Sequence, residues 1–224
     1  MKKIFFKTKD GSPSILIEEL DESYHSRHGA ITESNYIYIK KGLNSWMDKH
    51  KKKKVKIFEM GMGTGLNAYL AFCFCEKKKI KLNYYTVEKF PLSIQEIEKL
   101  SMEKYLPYSE FHQLFKWLHL SDWNSKLFKK EFLFQKNNSD FFDLKTLEKY
   151  DILFYDAFGY NAQSEMWEEK ALKICYRILK IGGYWISYCS KGSVRRNLEK
   201  IGFKVERLEG PPGKREILRA IKLV

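Results

Sequence analysis

The chain has 224 residues, enough for one domain with its own core, and 44% hydrophobic with 16% aromatic content excludes a disordered or low-complexity scaffold. Its 41 basic and 28 acidic side chains leave a net charge of +13, which suggests a polyanionic partner. No run of 18 apolar residues exists, and only three apolar residues separate Lys3 from Lys7, so neither a membrane span nor a signal peptide is expected and the protein reads as cytoplasmic.

Thirty-four of the basic residues are lysine and seven are arginine. The lysine runs 51–54 and 77–79 read equally well as solvated faces beside element ends. Arginine is more pointed, because its planar fork suits phosphate, and five of the seven (Arg195, Arg196, Arg207, Arg215, Arg219) fall in the last thirty residues. The four cysteines include no C-x-x-C pair and the five histidines no H-x-x-x-H, so buried thiols are expected and no metal.

In chain order, a turn-rich start leads through residues 24–30 into a helix-like stretch reaching Trp46. Val55–Met60 reads as a strand, followed by a glycine loop and a helix over 66–77. A second strand spans 82–87, a helix follows Pro91 to Lys104, the aromatic stretch 107–130 reads as helical, and 132–135 as a third strand. Residues 151–155 form a buried strand ending on Asp156, and a helix over 166–179 is expected to stop at Gly182-Gly183. A strand over 184–189, a helix over 194–201 and strands over 203–208 and 217–222 complete the chain. Alternating strands and helices predict a Rossmann-like, doubly wound α/β domain with a mostly parallel sheet. The helix-free link between the last two strands predicts an antiparallel hairpin at its edge. One domain is expected over 1–224, with an N-terminal segment 1–50 and an α/β core 51–224.

The strongest local signal is Glu59-Met60-Gly61-Met62-Gly63-Thr64-Gly65-Leu66-Asn67 between first strand and helix, where glycines let backbone approach a ligand beyond the strand ends. Two cofactor classes compete there. A dinucleotide fingerprint would place its third glycine one residue later, where Leu66 stands. Glu59, two positions before the first glycine, suits the ammonium of S-adenosylmethionine. Glu88 ends the second strand, 23 residues beyond Gly65, where an acid can accept both ribose hydroxyls; with the glycine loop this two-part pattern makes a strand-end salt bridge with Lys89 the weaker reading. Asn137, Asn138, Asp140 and Asp143 all qualify to meet an adenine, with Asp140 preferred. Asp156 stands where a catalytic group would face the transferred methyl, and Tyr160 beside Gly159 is the candidate to stack on a base, with Trp167 read as packing.

These residues resemble the methyltransferase part of the MnmC family, which modifies the wobble uridine of certain tRNAs. The resemblance rests on residues 59–67 (EMGMGTGLN), 88–92 (EKFPL), Asp156-Ala157-Phe158 with Met166-Trp167, Lys191-Gly192-Ser193-Val194-Arg195-Arg196, Ile201-Gly202-Phe203 and Gly213-Lys214-Arg215-Glu216. Ser26, Gly29 and Glu33 look like that family's segment before the sheet. The resemblance implies S-adenosylmethionine at Glu33, Glu59, Gly61, Gly63, Gly65, Asn67, Glu88 and Asp140. It implies catalysis at Asp156, and a tRNA anticodon stem-loop at Tyr160, Lys191, Arg195, Arg196, Lys214 and Arg215. The implied reaction converts 5-aminomethyluridine to 5-methylaminomethyluridine. An ordinary carboxyl near pKa ~4 is a poor acceptor for a proton held near ~10, so Asp156 is expected mainly to orient the amine. Gly159 to Gln163 stand where MnmC often carries Pro and Lys, and no stretch remains for its flavin oxidase. A stand-alone methyltransferase is expected, its aminomethyl substrate supplied by a separate enzyme. An aminopropyl or methyl transferase on a small amine, a nicotinamide or flavin oxidoreductase, and a non-catalytic RNA-binding module are the alternatives.

Overall fold

The structure, a computed structural model, describes residues 2–224. Strands β4 (Lys54–Met60), β5 (Lys81–Glu88), β7 (Phe132–Asn138), β8 (Tyr150–Tyr155) and β9 (Leu179–Ser187) run parallel, in the spatial order β9-β8-β4-β5-β7. Outside β9 lies the antiparallel hairpin of β11 (Glu216–Lys222) and β10 (Phe203–Glu209), and outside β7 the antiparallel β6 (Lys126–Lys129). The sheet is therefore mostly parallel with the expected edge hairpin. Chain order reverses between β5 and β8 on either side of β4, and such a switch point opens a crevice at the strands' carboxyl ends.

Period-two alternation divides the core. Val55 and Ile57 of β4 turn toward the face covered by α3 (Leu66–Lys77), α5 (His112–Leu120) and the helical stretch 30–50. Phe58 and Met60 turn to the face covered by α6 (Glu169–Ile178) and α7 (Gly192–Ile201). The stretch 30–50 is α-helical at α1 (Ala30–Ser34) and α2 (Ser45–His50), and wound wider, as π-helix, over Asn35–Asn44. Between β5 and α5 runs α4 (Ile94–Leu100), whose Ser93 and Glu96 form a reciprocal capping box.

Four expectations change. The turn-rich start contains a three-stranded antiparallel sheet of β1 (Lys3–Lys7), β2 (Pro13–Ile17) and β3 (Glu22–Ser23). The helix after Pro91 ends at Leu100, because Ser101 takes a left-handed φ of 49° and a short 3₁₀ turn over Met102–Lys104 follows. In 107–130 only His112–Leu120 is α-helical; Leu127 and Lys129 alternate with exposed Lys126 and Phe128 in β6, and Lys130 at φ 53° makes the turn into β7. Gly182-Gly183 does not stop a helix: α6 ends at Ile178, and both glycines lie inside β9. There a Cβ on Gly183 would stand 2.8 Å from the Lys180 carbonyl, beside a register shift against β8.

Among the described residues no helix is long and apolar enough to cross a membrane, and no group of three or more His, Cys, Asp or Glu could hold a metal ion.

Candidate active site

A cavity of about 330 Å³ opens at the switch point. Gly61 and Gly63 of the loop after β4, Glu88 from β5, Asp140 beyond β7 and Asp156 beyond β8 line it from below. The N-terminal segment closes it with Glu22, Tyr24, Glu33 and Tyr38, and the β10–β11 loop adds Lys214.

The loop is held tightly against the strands it joins. Gly61 donates to the Val87 carbonyl at 3.0 Å, and the Asp156 amide to Met60 at 3.1 Å. Gly61 has φ 84°, and a Cβ there would lie 2.8 Å from the Asp156 carbonyl oxygen. Gly63 donates to Glu88 Oε2 at 3.1 Å, while Phe90 donates to Oε1 at 2.8 Å. Both Glu88 oxygens are thus braced from the backbone, each keeping acceptor capacity for a hydroxyl. Lys89 does not pair with Glu88: its ammonium lies 2.8 Å from Asp140 Oδ2. Hydrogen bonding from Lys89 and from the Phe142 amide, at 2.9 Å on Oδ1, lowers the Asp140 pKa. Of the four candidates at and beyond the end of β7 only Asp140 lines the cavity. Asn137 accepts from Gln135 at 3.1 Å and Asn138 donates to the Glu88 carbonyl at 3.0 Å.

Asp156 is clamped from two sides. Tyr38 donates its hydroxyl to Oδ1 at 2.6 Å, and the Asn67 amide donates to Oδ2 at 2.8 Å. Burial raises the carboxyl to about 7 against these hydrogen bonds, with Glu33 adding to the rise and Lys214 opposing it. Glu33 Oε2 accepts from the Ser26 amide at 3.1 Å, and Lys214 lies 3.6 Å from Oε1. The Lys214 ammonium also sits 4.7 Å from the centroid of the Tyr188 ring. Tyr24 meets Phe158 edge to face at 5.1 Å, and buried His25 shares a 2.8 Å hydrogen bond with the Thr64 hydroxyl. Burial lowers the His25 pKa to about 4, so it stays neutral at physiological pH.

Several expected site residues do not reach the wall. Glu59 is fully buried, because alternation along β4 turns it beneath the loop toward Asn67, Tyr84 and Thr86, and neither carboxylate oxygen is open to a ligand. Burial first, then the charge of Asp156, pushes the Glu59 carboxyl well above the usual carboxylate range. The direct ammonium contact expected for it is therefore replaced by a supporting position. Gly65 caps α3 behind the cavity at φ 73°, its N–H bonded to the Met62 carbonyl at 2.8 Å. Tyr160 also lies off the wall, with the Lys191 ammonium 3.5 Å from its ring centroid, so that face is covered. Arg195 pairs with Glu199 at 2.8 Å one turn along α7. Arg196 and Arg215 are exposed outside the cavity, and Lys214 alone of the expected tRNA contacts lines it. Trp167 is buried, its indole donating to the Phe158 carbonyl at 2.9 Å.

Tyr24, Tyr38 and Tyr188 carry no sequence motif that separates them from core aromatics. In the N-terminal segment only the neighbouring Ser26, Gly29 and Glu33 carry a signal, as residues that resemble the MnmC family's segment before the sheet.

Residues 109–223 match a family model described as S-adenosyl-L-methionine-dependent methyltransferase. Over 234 residues the chain is 28% identical to the tRNA 5-methylaminomethyl-2-thiouridine biosynthesis bifunctional protein MnmC of Campylobacter jejuni subsp. doylei, covering 98% of this chain and 36% of that protein. The chain thus spans about a third of that relative's length. The protein of the same description from Actinobacillus pleuropneumoniae serotype 5b is 33% identical over 76 residues, 34% of this chain and 11% of that protein. Among solved structures, MnmC2 from Aquifex aeolicus superposes with a TM-score of 0.79 at 26% identity, covering 98% of this chain and 70% of that one. Spermidine synthase from Thermotoga maritima shares the fold, with a TM-score of 0.60 at 11% identity over 98% of this chain and 68% of that one.

Proposed function

The chain belongs to the S-adenosyl-L-methionine-dependent methyltransferases, and from that premise we propose that it methylates the primary amine of a 5-aminomethyluridine at the wobble position of tRNA. The names of its MnmC relatives support tRNA as substrate. The observation that carries the chemistry is Asp156, a clamped carboxyl raised to about 7 at the wall of the cavity.

The donor set fits the cofactor. A Cβ at Gly61 would fill the cradle between loop and Asp156, and the braced Glu88 carboxylate presents acceptors but no donor, as ribose hydroxyls require. Glu88 would hold the ribose and Asp140 the adenine, Gly61 and Gly63 would admit the chain close to the loop beside Asn67, and Glu33 would take the ammonium. When bound, S-adenosylmethionine supplies an electrophilic methyl carbon on a sulfonium. Asp156 has to remove a proton from the substrate ammonium, whose pKa is near ~10 by analogy with lysine. An ordinary carboxyl lies about six units below that, a penalty of roughly 8 kcal/mol, whereas one at about 7 lies about three below, roughly 4 kcal/mol. The raised carboxyl therefore serves as proton acceptor as well as anchor, a larger role than orientation alone.

The experiment is direct: purified protein, cofactor and tRNA carrying 5-aminomethyluridine, with nucleosides resolved by mass spectrometry. Conversion of that nucleoside to its N-methyl form is expected; methylation of another nucleoside, or none, overturns the reading. Calorimetry checks the cofactor side, where Glu88→Ala should weaken S-adenosylmethionine binding by about 1–3 kcal/mol, the range for leaving a buried hydrogen-bonding group without its partner. Unchanged affinity would remove Glu88 from the site.

For tRNA, the topology places residues 190–196, where the chain enters α7, and the loop 210–215 at the same end of the sheet as the cavity. Arg195 is engaged by Glu199 and Lys214 by Glu33, which leaves Lys191, Arg196 and Arg215 as the outward cations of this rim. Replacing those three with glutamine should weaken tRNA binding across sequences and reduce the log–log salt slope by about 2. Cofactor affinity should stay constant. Lys51–Lys54 lead into β4 at the opposite end of the sheet, and neutralising them should matter much less. The reverse ranking, read by filter binding over a salt series, would move the docking face.

A further inference from the structure

We propose that Tyr38 is a positioning residue for the transfer: with Asn67 it fixes the Asp156 carboxylate in the orientation that meets the substrate amine. The inference rests on the amine-methylation reading above and concerns a residue outside every sequence motif.

Tyr38 lies in the π-wound part of the helical stretch, Asn67 in the first turn of α3 and Asp156 after β8, so three separate elements converge on one carboxylate. Tyr38 is 2% exposed and Asn67 3%, and both line the cavity. Each donates to a different carboxylate oxygen, at 2.6 and 2.8 Å, which removes the free rotation a singly held Asp would keep. The Tyr38 ring is fixed in turn by Phe154, at 5.1 Å between centroids, so the hydroxyl cannot swing away without disturbing the core. One lone pair on each oxygen is spent on the clamp, and the others remain for a donor arriving through the cavity.

The titratable groups around Asp156 come from every neighbouring element: Glu59 of β4, Tyr84 of β5, Glu33 of α1, Tyr188 after β9 and Lys214 of the hairpin loop. Only Lys214 among these favours the ionised carboxylate. The hydrogen bonds from Tyr38 and Asn67 do most to hold the carboxyl down against burial. Losing the Tyr38 hydroxyl should therefore both loosen the carboxylate and move its titration upward.

Tyr38→Phe tests this, since the ring and its packing remain. With aminomethyl-bearing tRNA, kcat should fall about tenfold while KM and the S-adenosylmethionine dissociation constant stay within about twofold. The rising limb of kcat/KM against pH should shift to higher pH. Carboxyl-carbon NMR of Asp156 in the cofactor-free protein should show the same upward shift without any turnover. An unmoved Asp156 titration, or an unchanged kcat, overturns the proposal even if wild-type protein methylates the amine. Wild-type protein that leaves the amine unmodified overturns the functional reading, and this inference with it.

Discussion

Asp156→Asn should lower kcat by about two to four orders of magnitude, the range for removing a general base, while S-adenosylmethionine affinity changes by less than about threefold. Asparagine keeps the shape and can accept the Tyr38 hydrogen bond on its oxygen. Its amide then faces the Asn67 amide, and Asn67 can turn its Oδ1, which is buried without a partner, to accept it. Geometry survives and basicity does not. The proposed reaction uses the carboxylate in its ionised form, so kcat/KM of the free enzyme should rise with pH through about 7, and that limb should vanish in the variant. Stability should move the other way. A carboxyl raised from 3.8 to about 7 on folding holds its proton more tightly when folded, so stability is lost as pH rises between those values and the full penalty persists above about 7. Asparagine removes that penalty. Above pH 7 the variant should be more stable by on the order of 1–2 kcal/mol, discounted because the side chain is partly open to solvent, and equal to wild type below pH 4. Thermal melts at two pH values, beside steady-state rates, check both halves. A rate within twofold of wild type would make Asp156 structural.

The amino-acid pattern reveals the parts of the site that stand at strand ends. The glycine loop, Glu88 and Asp156 stand at strand ends, and period-two strands separated by helical segments locate strand ends well. Local patterns cannot say which way a strand-end side chain points. Glu59 and Glu88 both read as acids beside a cofactor loop, yet one is turned beneath the loop by the alternation of β4 and the other lies on its wall. The N-terminal wall was hidden for a different reason. Tyr24 and Tyr38 reach the cavity only because β1–β3 and the helix 30–50 fold back over the loop, a long-range contact that no local period records. Similarly, Gly182-Gly183 has the composition of a helix stop, but it serves a close backbone approach at the Tyr150–Ile152 register shift of β8 and β9. Arg219 shows the limit for charge: it contributes to the C-terminal arginine concentration, yet it binds Glu206 at 2.7 Å and the Ser45 hydroxyl at 2.7 Å, bracing the edge hairpin to the N-terminal helix.

Gly63→Val should abolish S-adenosylmethionine binding while the protein stays folded. Gly63 has φ 49°, where a β-branched residue is strained by about 1–3 kcal/mol whatever its surroundings. A Cβ would also meet the Tyr24 ring at 3.1 and 3.3 Å, so the ring must retreat from the cavity it closes or the loop must move. Loop movement has a second consequence, because the Gly63 N–H holds Glu88 Oε2 in place. One substitution therefore disturbs Tyr24, the loop and the Glu88 carboxylate together, and the losses should exceed those of Glu88→Ala. Gly63→Ala separates the contributions. Alanine is less strained at this φ and needs only a few tenths of an ångström from Tyr24, so measurable but weakened binding is expected. The strain acts on the folded state as well, so melting temperature should fall modestly in both variants, with the sheet's circular dichroism unchanged. Calorimetry on the two variants and wild type decides the matter. Equal affinity in all three would mean that the cofactor does not approach the loop at Gly63, and the cavity's polarity from Glu88 to Asp156 would have to be reassigned.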